Sequence, residues 1–403
     1  MASNSSNKEY IIEIIKAKRK FNSICLIFVR REPFSFDGGI EHCVRSEMDI
    51  AFKNNTDVLL ITPINLPKNN IKQKVFEIEL FLNEEKITST LLDSLSIIIS
   101  FLCPSAIIYH SLIDFEHNSL IRFLIYSRKI TKNILWLHDL SYVCDSQILI
   151  RNNIFCSMQT VNSTYCFGCE FEPKRSELFK FYEYLIKSID VLIFPSNVSK
   201  ERFFNYFNLL SNDKINFKIY PHYHVTSKKI IKPRINFQES PICLAFFGHN
   251  VSHKGWYKFL DLVDVLESTR KFQFYHIGIA HHSDDRVKHI PFSELNHVDP
   301  VAELDLLCKS LNIHLAFFWS ITLESFGMML RQVLATQCAV LARGDDLALK
   351  EFIDDCDKIK FFNEFDDLIS FVKNDAAVND LLDKASQTVC SLQESEYSFS
   401  VLT

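Results

Sequence analysis

The sequence lacks the features that would assign it directly to a nucleic-acid-binding, secreted or membrane-spanning class. Its net charge is −5 at pH 7, so no general basic footprint for nucleic acid is present. The strongest membrane candidate, residues 95–109, is interrupted by Ser100 and Pro104. The apolar run over residues 10–15 is too short for a signal-peptide core and contains Glu13. We therefore expect a cytoplasmic protein.

Glycine is also scarce, at 8 residues, whereas phenylalanine is abundant, at 36. We interpret both as composition bias without functional meaning. Twelve cysteines are present without a secretory context, which predicts mostly reduced, buried thiols. The hydrophobic fraction of 47% is enough for sizeable cores. The 403 residues predict two or three domains, at about 150 residues per domain.

Short apolar runs alternate with helical segments along the chain, which predicts doubly wound parallel sheets. The polar segment 226–241 breaks this periodicity and is interpreted as an interdomain linker. It separates domains over residues 1–225 and 242–379 and leaves a tail over 380–403. Strands are predicted at 25–29, 57–62, 106–109, 134–137, 191–194, 242–247, 273–278, 313–319 and 339–342, helices at 115–129, 173–188, 197–208, 256–266 and 299–310, and a last strand and helix over 359–371.

Residues 8–20 form a candidate amphipathic helix with Ile11, Ile14 and Ile15 on one side and four cations near its end. Two interpretations are open. The helix can lie on an anionic membrane surface, or it can be a lead-in helix whose C-terminal cations are favoured by the helix dipole. The second is favoured.

Two loops of the first domain carry residues that suit a bound sugar or phosphate. Gly38 and Gly39 follow the first strand and open a helix, where backbone N–H groups can approach a phosphate closely. His138 stands at the end of the strand 134–137, where it can contact a sugar. A glycine pair often marks only a turn, and a lone histidine is often structural.

Two loops of the second domain carry charged residues in equivalent positions. Lys254 lies between the strand 242–247 and the next helix, where it can offset the charge of a departing diphosphate. Glu324 lies between a strand and a helix predicted to begin near Phe326, at the sheet edge where ligands bind in open α/β folds. The alternative for both is an ordinary solvent-facing loop residue.

An insertion in the first domain, over residues 144–169, contains four cysteines. Four thiolates can bind a structural Zn²⁺, but one close Cys-x-x-Cys pair is only half of a zinc motif. Free packed thiols or a redox pair are the alternatives. The cysteines are Cys144, Cys156, Cys166 and Cys169.

Together these motifs resemble those of the retaining GT-B glycosyltransferases of glycosyltransferase family 4. The resemblance rests on Gly38-Gly-Ile-Glu41, His138-Asp139, Lys254-Gly255 and Glu324-Ser-Phe-Gly327, which occur in the family's order. It covers residues 25–375.

The sequence departs from the family pattern at several positions. His249 replaces an arginine of the diphosphate clamp, and a histidine carries only part of a charge near neutral pH. Gln332 replaces the second glutamate of the signature, and Gln337 and Ala339 stand where the family has glycine and proline.

The resemblance implies a GT-B fold, which consists of two Rossmann-like doubly wound domains with an active cleft between them. The first domain would face the acceptor and the second would bind the nucleotide sugar, and the tail would cross back to the first domain. The catalytic residues implied are His138, Lys254 and Glu324. The donor contacts implied are Gly38, Gly39, His249, Lys254, Glu324, Ser325, Phe326, Gly327 and Gln332.

The implied reaction is transfer of a hexosyl-type unit, with retention, from a UDP-, GDP-, ADP- or dTDP-linked donor to a glycan or lipid-linked acceptor. Surface polysaccharide biosynthesis, such as that of lipopolysaccharide, is the implied process, with peripheral contact at the inner face of the membrane. No cofactor is expected, and no catalytic metal, because no Asp-x-Asp motif stands at a strand end. The departures leave a non-catalytic nucleotide- or partner-binding protein as the main alternative, and a GT-B epimerase as another.

Overall fold

The computed structural model describes residues 2–64, 76–151, 154–158, 163–209, 215–231, 241–296 and 299–394. The helices are α1 (Ala2–Lys18), α2 (Gly39–Lys53), α3 (Leu95–Leu102), α4 (His117–Ser127), α5 (Glu172–Ser188), α6 (Asn197–Tyr206), α7 (Trp256–Leu266), α8 (Pro300–Ser310), α9 (Met328–Ala335), α10 (Phe365–Lys373) and α11 (Asp375–Ser386). The strands of the first domain are β1 (Ser23–Phe28), β2 (Thr56–Pro63), β3 (Glu77–Leu82), β4 (Glu85–Leu91), β5 (Ala106–Tyr109), β6 (Lys132–Trp136), β7 (Ile150–Arg151), β8 (Ile154–Phe155), β9 (Val191–Phe194) and β10 (Phe217–Ile219). The later strands are β11 (Tyr223–Lys229), β12 (Ile242–Phe247), β13 (Phe272–Gly278), β14 (Val287–Pro291), β15 (Ile313–Phe318), β16 (Ala339–Arg343), β17 (Ile359–Phe362) and β18 (Thr388–Glu394).

The first domain is built on an eight-stranded sheet in the order β10-β9-β6-β5-β1-β2-β3-β4. Its strands are parallel except for the antiparallel β3–β4 hairpin at one edge. Successive residues of β1 supply opposite cores, with Leu26 and Phe28 on one face and Cys25 and Ile27 on the other. Both faces are therefore covered, as the continuous apolar run of β1 predicts for a parallel strand.

The second domain is built on a six-stranded parallel sheet in the order β14-β13-β12-β15-β16-β17. Its central strand β12 follows the same rule, because Leu244 and Phe246 enter one core and Ala245 and Phe247 enter the other. In each sheet the strand order reverses beside the first strand of the domain, between β1 and β5 and between β12 and β15. The prediction of an α/β protein with two doubly wound, Rossmann-like domains is confirmed.

The segment 226–241, predicted as a linker, begins inside a strand. β11 pairs in antiparallel register with β18, and Val225 and Cys390 pack into a core of the second domain. β11 lacks an apolar run because only one side of this two-stranded ribbon is buried and its residues 226–229 are polar or charged. The tail through residue 394 therefore packs on the second domain; residues 232–240 and 395–403 lie outside the described residues.

The N-terminal helix α1 packs its apolar side on the first domain, against α3 and β4. Ile11 and Ile15 are fully buried there and Ile14 is half-buried, so each fully buried side chain contributes about 1.5–3 kcal/mol to stability. This packing supports the lead-in interpretation over the membrane-surface interpretation. Within the described ranges, no helix is long and apolar enough to cross a membrane.

Candidate functional site

The candidate site is a cavity of about 410 Å³ between the two domains. The loops that follow β1, β6, β12 and β15 line it, and these loops leave the carboxyl ends of their strands. Ligands of open α/β sheets bind outside such strand ends, where the strand order reverses. The predicted residues that line the cavity are Gly38, Gly39, His138, His249, Lys254, Glu324, Ser325, Phe326 and Gly327.

Lys254 and Glu324, which are 70 residues apart, form an ion pair in this cavity. The ammonium Nζ of Lys254 lies 2.8 Å from Oε1 of Glu324. Burial opposes ionisation of Glu324, but the charge and hydrogen bond of Lys254 outweigh it, and the pKa of Glu324 is lowered. The Lys254 side chain is 44% exposed, so the pair is worth about 1 kcal/mol or less. A diphosphate can therefore compete for Lys254.

A close backbone approach brings the two charged loops together. Gly255 has φ +90°, and a Cβ there would lie 2.0 Å from the carbonyl oxygen of Trp319. The carbonyl of His253 accepts hydrogen bonds from the backbone N–H of Ile321 at 2.8 Å and from the hydroxyl of Ser320 at 2.9 Å. Glycine at position 255 is thus needed for both the left-handed turn and the contact.

The loop over residues 324–327 is shaped from within by Arg331, which the sequence analysis did not identify. This buried guanidinium lies 3.8 Å from the ring centre of Phe326 and donates to the backbone carbonyls of Phe326, Gly327 and Glu351. Burial lowers the pKa of Arg331 to about 9. Arg331 lies on α9, one turn after Gly327, so its spacing from the loop was visible in the sequence.

The first domain holds the same loop from outside, through α6. The hydroxyls of Ser196 and Ser199 donate to the carbonyl oxygen of Ser325 at 2.8 and 2.9 Å. Arg202 donates to the carbonyl oxygen of Glu324 at 2.6 Å. The strand-end position of Ser196 was a sequence signal, but the partner of Arg202 lies 122 residues away and no local pattern indicates it.

Two helix N-termini reach the cavity from opposite domains. Helix α2 begins at Gly39 and α9 begins at Met328, and a Cβ on Gly39 would lie 3.5 Å from Sδ of Met328. Helix N-termini carry unpaired N–H groups and partial positive charge, which suit an anion. The predicted position of the glycine pair at a helix entrance is therefore observed.

His249, which occupies the position of a clamp arginine, is half-buried and bonded to protein groups. Its Nδ1 lies 2.9 Å from Nε2 of His281, and its Nε2 lies 3.3 Å from the carbonyl oxygen of Asp37. Burial lowers the pKa of His249, although Asp37 opposes that shift. The neutral imidazole is therefore favoured over the charged one in the absence of a ligand.

Asp37 joins the two domains across the same end of the cavity. Its carboxylate accepts hydrogen bonds from the hydroxyl of Ser293 and from the backbone N–H of Glu294, both at 2.8 Å. No local sequence pattern indicates this role of Asp37, because its partners are more than 250 residues away.

His138 lies at the cavity floor in the first domain and is buried. Its Nε2 lies 2.9 Å from Nδ1 of His110. Burial lowers the pKa of His138 well below its usual value, and the neighbouring His110 lowers it further. The neighbouring Asp139 is affected in the opposite direction, since burial raises its carboxyl pKa.

Gln332 does not line the cavity. It lies on α9, 98% buried, close enough to Glu294 to affect the pKa of that carboxylate, but neither amide atom has a hydrogen-bond partner within the described residues. Glu294 itself lines the cavity. Burial opposes ionisation of Glu294, but His42, whose Nδ1 is 3.0 Å away, and Gln332 lower its pKa. The carboxylate nearest to position 332 thus comes from another loop, which the sequence analysis missed.

The cysteine insertion forms a small hairpin, β7–β8, beside a cavity of about 30 Å³ that all four thiols line. Arg175 donates to Sγ of Cys166 at 2.7 Å, and burial raises the pKa of Cys144 to about 11. The four sulfur atoms are not drawn together to the spacing of a metal site within the described residues. Zinc binding by this insertion therefore stays a prediction, beside the free-thiol and redox-pair alternatives.

Comparison with known proteins gives similarity at the level of structure. No protein family and no curated protein matches the chain. The structure of Anabaena HepE in complex with UDP and glucose matches with a TM-score of 0.52 and 12% identity, over 90% of this chain and 92% of that one. The pneumococcal O-GlcNAc transferase GtfA in complex with UDP and GlcNAc matches with a TM-score of 0.54 and 8% identity, over 91% and 95%. These similarities confirm the predicted GT-B fold.

Proposed function

We propose that this protein is a glycosyltransferase that moves a sugar from a nucleotide-sugar donor to a glycan or glycolipid acceptor. The observation that carries the proposal is the Lys254–Glu324 pair, held 2.8 Å apart where the strand order of the second sheet reverses. A cation and a carboxylate at one site suit the two parts of such a donor, its diphosphate and its hydroxyl groups. The UDP and sugar ligands of the structurally similar proteins support the same ligand class.

In the proposed complex, the donor diphosphate takes over Lys254 from Glu324. The released carboxylate then accepts hydrogen bonds from donor hydroxyls, and the N-terminus of α2 at Gly38 and Gly39 adds backbone donors. When the bond between the anomeric carbon and the diphosphate oxygen breaks, negative charge grows on the leaving group. Lys254 stabilises that charge at the moment it develops, which is how a positioned cation accelerates a reaction.

The finer assignments follow the family resemblance. On that basis the protein would be a family 4 type enzyme that retains the configuration at the anomeric carbon and needs no catalytic metal. His138 would contact the donor sugar. The enzyme would act in surface polysaccharide biosynthesis at the inner face of the membrane. Retention is measurable directly, because proton NMR of the product distinguishes the two anomers. An inverted product would remove the family assignment while leaving the transferase proposal intact.

A second candidate is a non-catalytic protein that binds a nucleotide. Two observations favour it: the pKa of His249 is lowered in the free protein, and Gln332 is buried outside the cavity. Both weaken the match to an active donor site.

Thermal-shift measurements with UDP, GDP, ADP and dTDP identify the nucleotide, since a bound ligand raises apparent stability by mass action. Hydrolysis of the corresponding sugar nucleotides then separates the candidates. Release of free nucleoside diphosphate supports the transferase; saturable binding without release supports the non-catalytic protein. Lys258→Ala is the matched control, because Lys258 also lies beside the Lys254 loop but pairs with Asp261 at the surface.

A further inference from the structure

A group of buried nitrogen and sulfur donors lies beneath the cavity, apart from the Lys254–Glu324 pair. It consists of Cys43 on α2, His138 after β6 and His222 before β11. One ligand atom from each comes within 4.8 Å of the others, and the sulfur of Cys43 lies 3.3 Å from Nδ1 of His222. Within the described residues, this trio is the one set of three His, Cys, Asp or Glu side chains whose ligand atoms lie within 4.8 Å of one another.

We propose that Cys43, His138 and His222 bind a zinc ion. Zinc prefers thiolate and imidazole ligands, with bond lengths of about 2.3 Å to sulfur and about 2.0 Å to nitrogen. A tetrahedron with those bonds separates its donor atoms by roughly 3.5 Å. The distance of 3.3 Å between Cys43 and His222 is close to that value, and the other two pairs lie within 4.8 Å. All three side chains are at least nine-tenths buried.

The surroundings of the trio match those of a metal site. Metal-bound histidines commonly direct their second ring nitrogen to another polar group, which fixes the ring. The Nε2 of His138 meets Nδ1 of His110 at 2.9 Å, and Nε2 of His110 lies 4.0 Å from the carboxylate of Glu47. Glu47 also accepts a hydrogen bond from the indole N–H of Trp136 at 3.1 Å. His110 therefore contacts one of the three ligands directly, and the Glu47 carboxylate lies close behind His110 without a hydrogen bond to it.

A divalent cation would also be compatible with the buried charges of this region. Cys43 and Glu47 are both completely buried. Cys43 must lose its proton to bind a metal, and a bound Zn²⁺ would compensate the thiolate that then forms and the nearby Glu47 carboxylate. Three protein ligands leave one position of the tetrahedron for water or another group, and His138 and His222 both border the cavity.

The inference is tested separately from the transferase proposal, because metal content is measured without any donor or acceptor. It replaces one finer assignment of that proposal, since His138 becomes a zinc ligand and not the contact to the donor sugar. A zinc-free protein would instead leave His138 available to contact the sugar.

The test is metal analysis of the untagged, full-length protein purified without chelators. We expect about one Zn²⁺ per chain, lost in Cys43→Ser and in His222→Gln. The matched controls Cys166→Ser, in the insertion, and Cys103→Ser, at an exposed thiol, should keep the metal. We expect Glu47→Gln to weaken zinc affinity about tenfold or more, as removal of a group behind a ligand does.

X-ray absorption of the wild-type protein keeps the proposal falsifiable if a variant does not fold. One sulfur and two nitrogens around zinc support the site; four sulfurs would assign the metal to the cysteine insertion and overturn it. Zinc retained in folded Cys43→Ser, or a wild-type protein that folds and stays metal-free in zinc-supplemented medium, would also overturn it.

Discussion

The two sides of the interdomain cavity differ in charge. On the second-domain side, Lys254 and Glu324 form an ion pair at the cavity surface. On the first-domain side, His110, His138 and His222 are buried, and burial is the main cause that lowers the pKa of each, that of His110 to about 3. From this comparison we propose that the second domain meets the charge of a bound anion. The first domain would supply backbone N–H groups and imidazoles that are neutral in the metal-free protein, and its Asp37 carboxylate is engaged by Ser293 and Glu294 of the second domain.

Removing the Lys254 ammonium should reduce the charge difference between the two sides of the cavity most strongly. Lys254→Ala deletes the group that meets the diphosphate and leaves Glu324 without its partner. We expect kcat/KM for donor hydrolysis to fall by on the order of 10²-fold or more, as loss of a charge-stabilising group commonly does. Lys258→Ala should have near wild-type kinetics, because an exposed ion pair contributes little. Equal losses in the two variants would mean that the position of Lys254 is not special.

Removing the negative charge of Glu324, the partner of Lys254, should have the next largest effect. In Glu324→Gln the amide is a weaker acceptor for donor hydroxyls, and we expect a loss of about 1–3 kcal/mol in kcat/KM. Glu351→Gln is a suitable control because Glu351 caps α6, accepting hydrogen bonds from the backbone of Asn197 and Val198, and does not line the cavity. Wild-type kinetics in Glu324→Gln would remove Glu324 from the site.

Restoring the family glutamate in Gln332→Glu should destabilise the protein. The structure places position 332 beside Glu294, so the variant would bury two carboxylates together and raise the pKa of one of them. When the pKa of a carboxyl group is raised in the folded state, the protein loses stability as pH rises above the pKa of that group in the unfolded state, which is about 4.3 for glutamate. We expect the free energy of unfolding to fall by about 1–3 kcal/mol at pH 7, and by less at pH 5.

Urea unfolding of Gln332→Glu and Gln332→Met at the two pH values measures this effect. Gln332→Met keeps the volume without the charge and should show no such pH dependence. An equally stable Gln332→Glu at pH 7 would mean that the amide and Glu294 do not meet.

His249 should give the smallest effect, a pH dependence of donor affinity. Its pKa is lowered in the free protein, and a bound diphosphate should raise it. Binding then takes up a proton, so affinity is highest below the free pKa and falls as pH rises toward the bound pKa. The slope is at most about tenfold per pH unit. Calorimetry of wild type and His249→Arg should show a flatter profile in the variant; profiles of the same shape would assign His249 a structural role.

The charged side of the cavity was predictable from sequence because its residues lie in local motifs. Lys254-Gly255 and Glu324-Ser-Phe-Gly327 each follow a strand directly, and runs such as 242–247 and 191–194 gave strand bounds that the structure confirms. On the buried side only His138, which follows a strand directly, was predicted. Cys43, His110 and His222 were not, because they come from three other segments and meet His138 only after folding.

Edge strands were the other features that the sequence did not indicate. β4 and β14 are mostly exposed, so they lack the apolar runs by which the central strands were identified. β11 and β18 form a separate ribbon with one buried side. In these segments the backbone pairing, and not apolar patterning, defines the strand.

The most direct test of the difference between the two sides is nucleotide affinity in one variant from each. Calorimetry would use the nucleoside diphosphate that gives the largest thermal shift, with wild type, Lys254→Ala and His138→Gln, each confirmed as folded by circular dichroism. All three proteins would be treated with a chelator first, so that loss of the proposed zinc does not enter the comparison. We expect Lys254→Ala to weaken binding by about tenfold or more, since a hydrogen bond to a charged group contributes about 1.5–3 kcal/mol. We expect His138→Gln to bind within about twofold of wild type, since no charge is then removed. Equal weakening in the two variants, or full affinity in Lys254→Ala, would contradict the account.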